Sequence, residues 1–359
     1  MERVYNFAAG PSMLPLEVLE EAQRDLINYK GSGMSVMEMS HRSKQYQAIF
    51  DETEATLRRI MNISDDYAVM FLQGGASLQF SMVPMNLMPK GATANYCETG
   101  VFAKKAAAEA KKWGNVITIT SGKENNYTNI PELTDDIVTD DASYVHITQN
   151  NTIFGTTYHK TPDIKKCPLV SDMSSVILGE EFDVNKYGII YAGAQKNMGP
   201  AGMTLVIAKK ELLGKAPEDT PSMLNYSLMA DNGSMYNTPP CWAIYIAGLV
   251  YKWVEKSGGV KALENRNKEK SALLYDAIDS SKLFTAPAAE NCRSYMNVTF
   301  TLPTDELTAE FLDFVKDRNM TNLKGHRAVG GMRASIYNAM PIEGVNELVK
   351  AIKEFEAKK

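Results

Sequence analysis

The sequence predicts an α/β protein, with a large domain built on a mostly parallel sheet and a smaller α+β domain behind it. Three observations lead there. Short β-rich runs alternate with amphipathic helical segments through most of the chain, the pattern of parallel strands joined by crossover helices. After residue 278 the order of strands and helices changes. The chain's 359 residues, 44% of them apolar, exceed what one hydrophobic core usually supports.

Apolar residues spaced by three and four predict helices over 16–29, 46–61, 102–113, 243–256 and 260–278. Between them, runs rich in β-branched and aromatic residues predict strands over 67–72, 91–96, 115–120, 144–148, 169–171, 188–191 and 203–208. The C-terminal part reads as a strand over 294–301, a helix over 308–318, a strand near 331–335 and a last helix over 342–357. The "SGGV" stretch interrupts two helices and marks a domain boundary. The expected organisation is therefore an N-terminal segment 1–15, a large domain 16–257 and a small domain 258–359.

The formal charge of −5 comes from mixed acids and bases with no basic stripe, which excludes nucleic acid as the main partner. Small-molecule ligands are expected instead. "CWAIYIAGLVYKWV" is broken by Lys252 and too short to span a bilayer, and "MERVYNFAAGPS" lacks a charged leader with an apolar core. Four cysteines without a CxxC pair imply free thiols in a reducing compartment, so the cytoplasm is expected. The four histidines show no i,i+4 pair, so no metal site is expected.

The stretch "GIIYAGAQKNMGPAGMTLVIAKK" (188–210) sets one lysine, Lys196, in a small-residue loop between two apolar runs. A solvated lysine does not need small neighbours, whereas one attached to a bulky group does. Upstream, "CPLVSDMSS" places Asp172 at the carboxyl end of a short strand, where open α/β sheets bind ligands. One further strand fits between Asp172 and Lys196, so both can face one crevice. In "FLQGGASLQF" a strand ends at Gly74–Gly75, and Ala76–Ser77 open a helix whose free N–H groups suit a phosphate. No nucleotide-binding GxGxxG or GxxxxGK[ST] motif is present. A phosphate cradle, a carboxylate and a semi-buried lysine together point to pyridoxal 5′-phosphate: the lysine forms the Schiff base and the aspartate keeps the pyridine nitrogen protonated.

At these residues the sequence resembles the phosphoserine aminotransferases, in the class V branch of the pyridoxal-phosphate-dependent transferases. The resemblance runs from "NFAAGPSMLP" and "MSVMEMSHRS" through "FLQGGASLQF", "SDMSS" and "AGAQKNMGPAG" to "MYNTPP" and "GHRAVGGMRASIYNAMP". It implies a fold-type I large domain with a seven-stranded sheet, a small C-terminal domain, and a homodimer with active sites at the interface. It further implies that Lys196 is the Schiff-base lysine and Asp172 the partner of the ring nitrogen. By the same resemblance Ala76, Ser77 and Gln195 bind the cofactor phosphate from one subunit and Asn237 and Thr238 from the other, while Thr152 and Ser174 lie near the ring oxygen. Phe102 stands where many members carry a ring-stacking tryptophan.

Two of the four histidines are each followed by arginine, His41–Arg42 and His326–Arg327, and guanidinium forks grip carboxylate and phosphate in two-pronged fashion. The resemblance implies that Arg333 holds the substrate α-carboxylate, and that His41, Arg42, His326 and Arg327 hold the distal phosphate or the γ-carboxylate of glutamate. The implied reaction converts 3-phosphohydroxypyruvate and glutamate to phosphoserine and 2-oxoglutarate. The rival readings are another class V enzyme, either a small-substrate aminotransferase or a cysteine desulfurase, and a non-catalytic phosphoanion-binding protein. No cysteine sits in the Gly/Ser-rich mobile loop a desulfurase needs.

Overall fold

The computed structural model describes residues 3–359. Seven strands form the main sheet: β1 (Tyr67–Leu72), β2 (Thr93–Glu98), β3 (Asn115–Ser121), β4 (Ala142–Thr148), β5 (Leu169–Asp172), β6 (Ile189–Gly193) and β7 (Thr204–Lys209). Their order across the sheet is β1-β7-β6-β5-β4-β2-β3. Neighbours from β6 to β3 are parallel, while β7 runs antiparallel to both β1 and β6. The reason is the connection: only the short loop carrying Lys196 joins β6 to β7, and a parallel return would need a crossover of a dozen or more residues.

Alternation along the strands assigns each side chain to one of two helical layers. Val69 and Phe71 of β1, with Leu205 and Ile207 of β7, face α2 (Lys44–Met61) and α6 (Cys241–Lys256), whose Tyr46, Phe50, Ile244 and Ala247 complete that core. Met70 and Leu72, with Val206 and Ala208, face the other layer: α3 (Gly75–Leu87), α4 (Val101–Ala110) and the short α5 (Tyr226–Asp231). Both faces being covered, β1, β5 and β6 are buried along their whole length, as near-continuous apolar runs require.

A second core gathers Phe284, Phe300, Phe311 and Phe355 between α7 (Gly259–Asp279), α8 (Asp305–Lys316), α9 (Ile342–Glu356) and an antiparallel pair, Asn297–Phe300 with Met332–Ser335. Helix α7 links the two cores. Its Val260 and Leu263 pack under the main sheet, and its Leu274, Tyr275 and Ile278 pack in the second core.

Two features differ from the sequence-based expectation. The helix expected over 16–29 is α1 (Leu16–Asp25): the backbone has left the helical region by Asn28 (φ −145°, ψ 86°), and Ile27 is 83% exposed, with no apolar surface to hold a further turn. The N-terminal segment also carries a strand that was not foreseen. Tyr5–Asn6 pairs in parallel with Met320–Thr321, and Phe7 is fully buried in the second core. Two-residue strands are too short to leave a periodic signal.

Candidate active site

The carboxyl ends of β5 and β6 and the start of α3 open onto one cleft of about 290 Å³. At its floor Asp172, the last residue of β5, pairs in register with Thr148 of β4 and Tyr191 of β6. The Ser174 amide donates to Asp172 Oδ1 at 2.9 Å. Burial raises the Asp172 pKa above the ordinary carboxylate value, opposed by the hydrogen bonds from Ser174 and the charge of Lys196.

Lys196 lies three residues past β6 and donates from Nζ to Thr152 Oγ1 at 2.7 Å. The N-terminal segment fixes its loop: the Ser12 amide donates to Gln195 O at 2.9 Å, and the Ser12 hydroxyl to Lys196 O at 2.6 Å. Gly10 (φ 141°) presses so close that a Cβ there would lie 3.3 Å from Lys196 Cγ. Burial lowers the Lys196 pKa to about 8; Asp172 works against that shift, and Arg333 adds to it. An amine tuned toward neutrality beside a carboxylate is the combination that nucleophilic and proton-transfer chemistry needs.

Helix α3 opens the cleft on another side. Gly74 (φ 87°) and Gly75 (φ 67°) turn the chain left-handed, and a Cβ on Gly74 would clash with the Leu78 side chain. This turn aims the first amides of a thirteen-residue helix into the cleft beside Ser77. Phe102, at the start of α4, places its ring centroid 5.8 Å from Lys196 Nζ. Arg333 arrives from the second core, where its strand pairs Arg333 with Thr299, and its Nη1 donates to Thr152 O at 3.4 Å. Tyr337 ties that strand's far end to the N-terminal segment by donating to Ala9 O at 2.8 Å.

The cleft thus gathers Ala76, Ser77, Phe102, Thr152, Asp172, Ser174, Gln195, Lys196, His326 and Arg333. It does not gather His41, Arg42, Asn237, Thr238 or Arg327. His41 and Arg42 precede α2, Arg327 is exposed, and Asn237 and Thr238 precede α6, with Thr238 O accepting from Gln73 Nε2 at 3.3 Å. Ala9, Gly10, Thr148 and Asn150 line the cleft without having been singled out as site residues. The "NFAAGPSMLP" stretch was the one signal for the first two.

A family model for class V aminotransferases matches residues 4–348. The chain belongs to the class V aminotransferases. Within this family it is 56% identical over 357 residues to a phosphoserine aminotransferase of Bacillus cereus, covering 99% of each chain. Among solved structures it is similar to the phosphoserine aminotransferase of Bacillus circulans subsp. alkalophilus, at 44% identity and a TM-score of 0.97 over 100% of this chain and 99% of that one. It is also similar to a PLP-bound phosphoserine aminotransferase from Trichomonas vaginalis, at 38% identity and a TM-score of 0.93, over 98% of this chain and 100% of that one.

Proposed function

We infer that this class V aminotransferase exchanges the amino group between phosphoserine with 2-oxoglutarate and 3-phosphohydroxypyruvate with glutamate, using pyridoxal 5′-phosphate. The observation that carries the inference is Lys196, its pKa lowered to about 8, held by Thr152 in the cleft that Asp172 floors. The relatives' shared name supplies phosphoserine, and the family resemblance supplies the partner substrates.

The residues present fit the cofactor. Thr148 Oγ1, Asn150 Oδ1 and Arg333 Nε are buried polar atoms without partners, and all three residues line this cleft, which is what a site shaped for a polar ligand leaves behind. The amides of Ala76 and Ser77, with the Ser77 hydroxyl and Gln195, would hold the phosphate, Phe102 would stack on the ring, and Asp172 would pair with its nitrogen. Pyridoxal 5′-phosphate supplies an electron-accepting ring that stabilises the charge left when a Cα proton departs. Lys196 Nζ would anchor the group, and as an amine tuned toward neutrality it can take a proton from the substrate Cα and return it, as general base and acid. Thr152 keeps the amine aimed, and Asp172, as an anion, stabilises positive charge opposite it. The Arg333 guanidinium grips the substrate α-carboxylate, which positions Cα for Lys196.

The distal phosphate is assigned to His326 and Arg327, together with His41 and Arg42 of a second copy. Asn237 and Thr238 of that copy complete the cofactor-phosphate site, so the working unit is a homodimer. No cysteine lines the cleft, which disfavours the desulfurase reading. No described helix is long and apolar enough to cross a membrane. The four free thiols support a cytoplasmic location.

The test is spectroscopic and kinetic. The purified protein should be yellow, bleach with borohydride with mass added at Lys196, and turn over phosphoserine with 2-oxoglutarate. A colourless protein that binds phosphate without turnover would sink the reading in favour of the binding protein.

A further inference from the structure

We propose that Lys105, on α4, is a specificity residue that reads the distal dianionic group of the substrate at the mouth of the cleft. Lys105 follows Phe102 by three positions, so the two share one side of the helix. Its Nζ stands 5.9 Å from the Phe102 ring centroid, the same ring that has Lys196 Nζ 5.8 Å away. Lys105 is exposed and stands just outside the cleft, beside the ring that lines it, which is where the outer end of a long substrate would emerge.

Its charge is uncompensated. The acid that helical spacing offers it, Glu109 at i+4, is held instead by Lys112 at 2.7 Å and by the Ser81 hydroxyl at 3.2 Å. Among the described residues, no carboxylate pairs with Lys105, Arg327 or Arg333. The charges of all three act on His326, which lines the cleft with Arg333. Burial lowers the His326 pKa first, and then Arg333, Arg327 and Lys105 each lower it further. Positive groups gathered around one ring without a counter-charge repel one another until an anion arrives. Lys105 lies on α4 and Arg327 in the loop before Met332–Ser335, so the two come from distant parts of the chain.

This inference rests on the phosphorylated-substrate reading above. The test compares wild-type holoenzyme with Lys105→Ala and Lys105→Arg on phosphoserine, serine, glutamate and alanine, with inorganic phosphate as a competing probe. An exposed cation facing a doubly charged group changes affinity roughly fivefold. Lys105→Ala should therefore raise KM for phosphoserine and the inhibition constant of inorganic phosphate by about that factor, raise KM for glutamate less, and leave alanine and kcat unchanged. Lys105→Arg should restore both constants. The difference should shrink as salt rises, since exposed charges are screened over about 10 Å at 0.1 M. If the wild type prefers phosphoserine over serine but Lys105→Ala changes neither constant, or lowers all substrates equally, this inference is overturned and the proposed function stands. If the wild type does not discriminate phosphoserine from serine, the substrate reading itself falls.

Discussion

Replacing Lys196 with methionine should abolish turnover and at the same time stabilise the apoprotein at neutral pH. Lys196 is held at a pKa of about 8 rather than the ordinary 10.5. At about 1.4 kcal/mol per pH unit, keeping it charged in the fold costs up to roughly 3 kcal/mol. Its side chain faces the cleft and is only part-buried, so that figure is an upper bound. Methionine keeps the length of the stem but removes the donor to Thr152, and a lost hydrogen bond to a charged group offsets about 1.5 kcal/mol. The net gain at pH 7 should be about 1–2 kcal/mol. The sign follows from proton binding. Between about 8 and 10.5 the unfolded lysine is protonated and the folded one is losing its proton, so wild-type stability rises with pH across that window. The variant lacks this dependence, and its advantage should fade toward pH 10.5. Urea melts of both apoproteins at one protein concentration, at pH 7, 8.5 and 10, read the difference directly. A variant less stable than wild type at pH 7, or an advantage that does not change with pH, would refute the account of Lys196 as a desolvated amine.

Three further outcomes are expected. Gly10→Ala should weaken cofactor retention at least several-fold by equilibrium dialysis, because the new Cβ meets Lys196 Cγ at 3.3 Å in a backbone conformation (φ 141°) that side chains disfavour. Arg333→Ala should lower kcat/KM by 100-fold or more on every amino-acid substrate, whereas Arg327→Ala and Arg42→Ala should do so for phosphoserine and spare unphosphorylated amino acids, as losing a donor from a site built for a polar group predicts. Equal losses on both substrate classes would remove the separate phosphate pocket. If Asn237 and Thr238 act across a dimer, cofactor should dissociate on dilution in step with the dimer, and sedimentation of a fully active monomer would exclude that arrangement.

The sheet was readable because its code is local. In β1 and β7, Val69, Phe71, Leu205 and Ile207 alternate with Met70, Leu72, Val206 and Ala208, and each set packs against a different helical layer. That Asp172 and Lys196 share one cleft was readable for the same reason: Asp172 ends one short strand, Lys196 lies three residues past another, and β5 and β6 are neighbours. The Gly74–Gly75 turn that opens α3 onto the cleft was announced by residue types that tolerate positive φ. Arg333 entered the sequence reading only through family resemblance, since nothing in its spacing relates it to Lys196.

The tertiary structure decided what covers the lysine. The Ser12 hydroxyl reaches Lys196 O across 184 residues of sequence, and Ala9, Gly10 and Arg333 meet in the cleft because Phe7 is buried in the second core while Tyr337 ties Ala9 to the strand that carries Arg333. Thr148 belongs to the site because β4 places it in register beside Asp172. Residue types and periodicities specify which face of an element is apolar. Which loop then lies over which strand end is set by how the cores pack against each other, and that packing leaves no periodic trace along the chain.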